Sequence, residues 1–338
     1  MVRTRARATW EHLVTARGFL QVASASLAAM FLVVTSGAFV RLTASGLGCE
    51  RWPRCGTAPF PTEGNQHAII EFGNRMVAVV GIALAIVTYL ASRKVGGLST
   101  LARRSALGVV LGAMAQIPLG GVTIILDLHP LAVMSHFLLA LVVLALTAVV
   151  VTEAWSRLEG LGAPFTPSWV RHVVAWAGLP LAAGLVVTGA VATASGPHPG
   201  SQEGVERLGV PIADTVYVHV RVAAVFGIGF LLLGVVLWRG RGLYPGLLRL
   251  WGITLVALVA QTILGEVQYR NALPWGLVLV HVFLAATIWT LSVGVALALW
   301  RPPAPLLAAS PVEARTSRLS SWEPSSASPS AQRSRGPS

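Results

Sequence analysis

The sequence predicts an all-α integral membrane protein, with eight transmembrane helices arranged as two pseudo-symmetric four-helix bundles. Three observations predict it. The 338-residue chain is 54% hydrophobic and only 11% charged, against about 25% charged in soluble domains, and its mean hydropathy is +0.71. The apolar residues fall into eight runs, each long enough to cross a bilayer. Short motifs of the first four runs recur in register in the last four. The net charge of +12 does not indicate a nucleic-acid partner, because the basic residues lie in short clusters between apolar runs rather than in one block.

Residues 1–18 carry Arg3, Arg5, Arg7 and Arg17 and read as a cytoplasmic N-terminus. The first run, 19–40, is followed by no A-x-A cleavage site, so it reads as a retained helix rather than a signal peptide. Runs at 69–92, 103–125 and 130–151 complete an N-terminal half, 19–152. A cytoplasmic linker, 153–170, leads to a C-terminal half, 171–300, with runs at 171–194, 214–238, 248–267 and 275–300. Residues 301–338 are rich in Ser, Pro and Ala without apolar periodicity and are expected to form a disordered cytoplasmic tail. Arg93, Lys94, Arg103, Arg104, Arg157, Arg171, Arg239, Arg241, Arg249 and Arg301 fall on the side of the N-terminal arginines. The positive-inside rule then places both termini in the cytoplasm of a multi-pass cell-membrane protein. The first external loop runs against this trend, with Arg41, Arg51, Arg54 and Arg75.

The repeat rests on several matches. Thr43-Ala44-Ser45-Gly46 recurs as Thr193-Ala194-Ser195-Gly196, each copy after an odd-numbered run. Gln116-x-x-Leu119-Gly120 recurs as Gln261-x-x-Leu264-Gly265, and the same offset carries His136 onto His281 and Asn74 onto His219. Each four-helix unit starts and ends inside, so the units are parallel repeats about an axis along the membrane normal.

Histidine within a spanning helix is costly and usually functional. His136, His219 and His281 each sit five or six residues past the external start of runs four, six and eight, so all three share one depth near the outer leaflet. Two readings stand: each imidazole hydrogen-bonds a neighbouring helix, or it is an axial ligand of haem iron, with His219 and His281 facing one macrocycle.

The first external loop holds the two cysteines, Cys49 and Cys55. An external pair at this spacing is expected to form a disulfide, either a structural staple or a redox-active bridge. Glu71 and Asn74 then share one helical face at the top of the second run. A desolvated carboxylate there suits acid–base work, or is simply favoured by the helix N-terminus. Arg75 and Arg221 are candidates for pairing with haem propionates, or for snorkelling to headgroups.

Together, Gly37-Ala-Phe-Val-Arg41-Leu-Thr-Ala-Ser-Gly46, the Cys49–Cys55 loop with Trp52-Pro53, Ile70-Glu71-Phe-Gly-Asn74-Arg75, Ser195-Gly-Pro-His-Pro-Gly200 and the helix histidines resemble the haem A synthase family in its actinobacterial-type, CtaA-like branch. The resemblance covers about residues 20–300. It implies two four-helix bundles and oxidation of a ring methyl of the substrate haem O to a formyl group, giving haem A for cytochrome oxidase. It further implies a haem b held axially by His219 and His281, a substrate haem at His136, and Glu71 as the catalytic residue. Many members carry histidine where this chain has Asn74, so His136 is expected to hold the substrate iron alone, with an open sixth position. His67 is a weaker candidate for that position. The partners implied are haem O, membrane lipid, the haem O synthase (a farnesyltransferase), cytochrome oxidase assembly and an electron acceptor of unknown kind. The alternative is a dihaem cytochrome b that only relays electrons; it explains the histidines but requires neither Glu71 nor the loss of one ligand. A transporter with histidine proton relays would need matched helix breaks, and Pro118 and Pro180 are not equivalent.

Overall fold

A computed structural model describes residues 10–49, 52–55, 61, 65–165, 167–202 and 204–308. The N-terminal Arg3, Arg5 and Arg7, loop residue Arg51, and the tail from 309 onward lie outside the described residues. Among the described residues, eight helices are long and apolar enough to cross a membrane: α1 (Ala16–Leu42), α2 (Gln66–Ser92), α3 (Thr100–Ile125), α4 (Pro130–Glu159), α5 (Ser168–Ser195), α6 (Ile212–Arg239), α7 (Pro245–Arg270) and α8 (Trp275–Trp300). With no water in the hydrocarbon region, a spanning segment must satisfy its own backbone, and helices do so. Among the described residues the only β-type pairing is the isolated bridge Leu161–Pro303.

The ends of these helices are written in the sequence. Thr15, Asn65 and Ser99 cap α1, α2 and α3 by accepting the N–H groups of Gly18, Ala68 and Ala102. Pro130 and Pro245 open α4 and α7, where a missing N–H costs nothing. In α5 a π-helical turn, Val174–Gly178, immediately precedes Leu179-Pro180. It absorbs the hydrogen bond that Pro180 cannot donate.

The two sets of four helices pack through α1, α4, α5 and α8. Met30, Val34, Leu141, Leu144 and Ala286 share one buried cluster, so the central core draws on both sets. The Trp289 indole N–H donates to Leu141 O across the seam at 2.9 Å, and Phe31 meets Phe283 with ring centroids 6.0 Å apart. Gly46 N donates to Gly200 O at 2.7 Å, joining the loop after α1 to the loop after α5. Gly200 has φ +104°, and a Cβ there would sit 3.0 Å from Leu128.

Two features depart from the expected boundaries. First, α4 runs on to Glu159, because Glu153 is buried and meets Arg301 in an ion pair at 2.6 Å. Second, residues 301–308, assigned to the tail from composition, are packed. Gly162 N donates to Pro302 O, Ala304 N to Gly160 O and Ala308 N to Leu243 O, while Leu306 is buried against Phe165 and Leu247. A segment with three prolines shows no helical period yet can be held by loop hydrogen bonds. The ion pair yields a prediction. Arg301→Ala leaves the Glu153 carboxylate buried without its partner and should cost about 2 kcal/mol, read as a lower thermal midpoint in detergent. An unchanged midpoint would show that the pair adds nothing to stability.

Candidate functional site

A cavity of about 900 Å³ lies beneath the Trp52–Cys55 loop, at the upper end of the size range for small-molecule sites. Its walls come mainly from α1, α2, α3 and α4 and include Glu71, Asn74, Gln116 and His136. Its roof is Trp52, Pro53, Arg54 and Cys55. Its inner part is apolar, lined by Met30, Val33, Ile82, Ala113 and Val143. One wall is supplied by the second set of helices: Ala190 and Thr193 from α5, and Val278 and Val282 from α8. The sequence reading assigned a substrate pocket to residues 19–152 alone and did not reach this shared wall.

Glu71 is buried, and both carboxylate oxygens are engaged. Oε2 accepts Cys49 N–H at 2.7 Å, and Oε1 pairs with Arg75 one helical turn later. Arg75 reaches back to donate to Pro53 O at 2.9 Å. Cys49 and Cys55 are disulfide-bonded. The carboxylate therefore ties the bridged loop to α2 while facing the cavity. Trp52 of this loop lies on α3 where Gly121 makes room: a Cβ at that glycine would stand 2.9 Å from the indole ring.

His136 also faces the cavity, beside Gly120, where an added Cβ would come within 3.4 Å of its ring. Gln116 donates to His136 O at 3.1 Å, and His136 Nδ1 is buried with no partner. His281 repeats this arrangement: its ring lies 3.2 Å from a Cβ built on Gly265, Gln261 donates to its carbonyl at 3.0 Å, and its Nδ1 is also buried without a partner. His219 lies against Gly189, and its Nδ1 meets Thr188 Oγ1 at 3.1 Å. The Thr188 hydroxyl lies within donating distance of the backbone oxygens of Gly184 and Leu185. With its proton used there, it accepts from Nδ1–H, which leaves Nε2 of His219 as the nitrogen with a free lone pair. Ser36 and Asn74 form the corresponding contact in the first half, Ser36 Oγ donating to Asn74 Oδ1 at 2.7 Å.

These donor sets fit haem iron. His219 and His281 stand at matching positions near the starts of α6 and α8, each ring beside a glycine of a neighbouring helix, and a buried imidazole nitrogen without a partner, as at His136 and His281, is uncommon in a merely structural histidine. The cavity offers one imidazole, His136, and an amide, Asn74, that is a poor iron ligand. The fit leads to a prediction. Gly265→Val thrusts a branched side chain into the His281 ring, and should weaken haem retention by at least about tenfold, read from the Soret absorbance per protein. Full retention would show that the ring's seat on Gly265 is immaterial.

Other expected residues fall elsewhere. Arg221 is exposed, its guanidinium 3.0 Å above the Tyr217 ring, and it does not line the cavity. His67 is held by Ser45 Oγ at 2.9 Å and lies 3.3 Å from the Gln202 amide, outside the cavity lining. Arg41, read from sequence as one of the loop cations, instead lines the cavity and donates to His198 O and Thr193 O. Arg207 converges on the same Thr193 carbonyl, and burial holds its guanidinium below the usual range. The Ser36-Gly37-Ala38 and Thr188-Gly189-Ala190 strings that precede the repeated Thr-Ala-Ser-Gly could have revealed the hydroxyl contacts.

The model of the COX15-CtaA family, described as cytochrome oxidase assembly protein, matches residues 21–293. A heme A synthase of Lysinibacillus sphaericus (strain C3-41) is 36% identical over 115 residues, covering 32% of this chain and 38% of its own length. A heme A synthase of Bacillus pumilus (strain SAFR-032) is 32% identical over 130 residues, covering 37% and 42%. That of Symbiobacterium thermophilum is 31% identical over 117 residues, covering 34% and 38%. The chain spans about two fifths of the length of the curated relatives it matches.

Proposed function

The chain belongs to the COX15-CtaA family of cytochrome oxidase assembly proteins, and on that premise we propose that it is a haem A synthase, oxidising a ring methyl of haem O to a formyl group. The observation that carries this reading is the unequal ligand supply. One imidazole, His136, and one amide, Asn74, face a large cavity, whereas the other half carries an imidazole at both matching positions, His219 and His281. A substrate has to bind, react and leave, and single ligation suits that. Double ligation suits a haem that stays.

In this reading residues 19–152 supply most of the substrate site, and residues 171–300 hold haem b. His136 binds the substrate iron, and the apolar walls exclude water. Glu71 stands at the polar end, where its carboxylate is placed to take a proton from the reacting carbon or to offset positive charge there. Arg75 and Cys49 N–H fix its orientation. A haem b between His219 and His281 supplies one-electron transfer when bound. Forming the formyl group takes one oxygen atom from water at the polar end of the cavity and releases four protons and four electrons, the electrons leaving to an external acceptor. Haem O reaches the cavity from the lipid or from the farnesyltransferase that makes it. Both termini face the cytoplasm of the cell membrane. A dihaem cytochrome that only relays electrons gives no role to Asn74 in place of a ligand, nor to a buried carboxylate in the cavity wall.

The test is the pigment itself. The protein is purified from cells that make haem O, and its haems are extracted with acid–acetone and separated. Haem b together with haem O or haem A is expected. Haem b alone would return the protein to the electron-relay reading, and no haem would overturn both.

A further inference from the structure

Among the described residues, the charge on the cavity wall is not balanced. The lining contains three guanidiniums, Arg41, Arg54 and Arg75, and one carboxylate, Glu71. Arg75 and Glu71 pair with each other, which leaves Arg41 and Arg54. Arg54 is exposed on the roof. Arg41, at the last turn of α1, is partly buried, and its partners are neutral: Nε donates to His198 O at 3.0 Å and Nη2 to Thr193 O at 2.9 Å. These contacts use two of the five N–H donors of a guanidinium. A second cation, Arg207, donates to the same Thr193 oxygen at 2.8 Å, and its Nε is buried without a partner. Among the described residues neither Arg41 nor Arg207 forms an ion pair.

Arginine cannot escape such a position by losing its proton. Carbonyl oxygens satisfy donors but do not cancel the charge. The cavity is therefore positive at its loop end and apolar at its inner end. Its complement is a flat amphiphile that carries carboxylates on one edge. We infer that Arg41 anchors a carboxylate of the ligand that occupies this cavity; resting on the function proposed above, that carboxylate is a propionate of the substrate haem. Arg207 is a positioning residue, which strengthens the positive field and shares the carbonyl that orients Arg41. Arg75, the earlier candidate for this role, is already committed to Glu71 and Pro53 O.

The test compares two probes in one protein. Full-length protein that retains haem b and has been washed free of substrate is titrated in detergent with iron protoporphyrin IX, as the free diacid and as its dimethyl ester. Binding is read from the Soret difference spectrum, and dependence on His136 identifies the cavity. Wild type should bind the diacid roughly tenfold tighter than the diester. Arg41→Gln should remove that preference, Arg41→Lys should keep part of it, and Arg207→Gln should reduce it by less. Because the result is a ratio within each protein, a general loss of folded material does not change it. Equal binding of the two probes at a His136-dependent site in wild type, or an undiminished ratio in Arg41→Gln, overturns the anchor and leaves the proposed function standing. Binding that His136→Ala does not alter, or no binding of either probe, overturns the proposed function, and the anchor with it.

Discussion

Glu71→Gln is expected to lower haem A formation by about 100-fold or more, while haem b content stays at the wild-type level. The amide retains an oxygen for Cys49 N–H, so the bridged loop remains attached to α2. It loses the charge that Arg75 and any developing cation would meet. Glu71→Ala removes more. It frees a backbone N–H at a residue only 1% exposed and leaves Arg75 without its ion pair. The loop should loosen as well, with a stability cost of about 2–4 kcal/mol. The two variants separate chemistry from scaffolding. Product formation, measured by chromatography of extracted haems, should fail in both, and the thermal midpoint should fall clearly only in the alanine variant. A glutamine variant that makes haem A at the normal rate would reduce Glu71 to a tether for the loop.

His219→Ala and His281→Ala should each lower tightly bound haem b by at least about tenfold. The absorption spectrum of what remains should shift from six-coordinate low-spin to five-coordinate. His136→Ala should leave that haem in place and instead empty the cavity of substrate. Thr188→Val forms a graded member of the series. It removes the hydroxyl that fixes the His219 tautomer without touching the iron ligand, and should weaken haem b by about 10-fold rather than abolish it. Haem b retained at full occupancy in both histidine variants would break the ligand assignment for the second half.

Much of this was legible in the sequence because lipid imposes a simple rule: long apolar runs must be helices. The eight spans follow from that rule, and so do the histidines at similar positions along α4, α6 and α8, since position along a helix is fixed by residue count. The Cys49–Cys55 bridge follows from a pair at close spacing. What was not legible depends on direction rather than distance along the chain. Arg41 lies one residue from the end of α1, and counting charges by loop placed it in the wrong population. Its side chain turns inward because the carbonyls of Thr193 and His198, far away in sequence, wait there. Glu71 read as an acid–base group or a helix-terminus carboxylate, and its tie to Cys49 N–H was missed because a backbone donor in a loop leaves no mark in composition. Residues 301–308 read as tail for the same reason: their order comes from Gly160, Gly162 and Leu243 and from no period of their own.

Helix α8 carries His281, and within one turn of it Val278 and Val282 form part of the wall of the cavity that holds His136. One rod, about 10–12 Å in diameter, thus belongs to both compartments. On the function proposed above, a partition this thin would separate a haem held by His281 from the reacting pigment, and an electron would cross it through bonded and packed atoms.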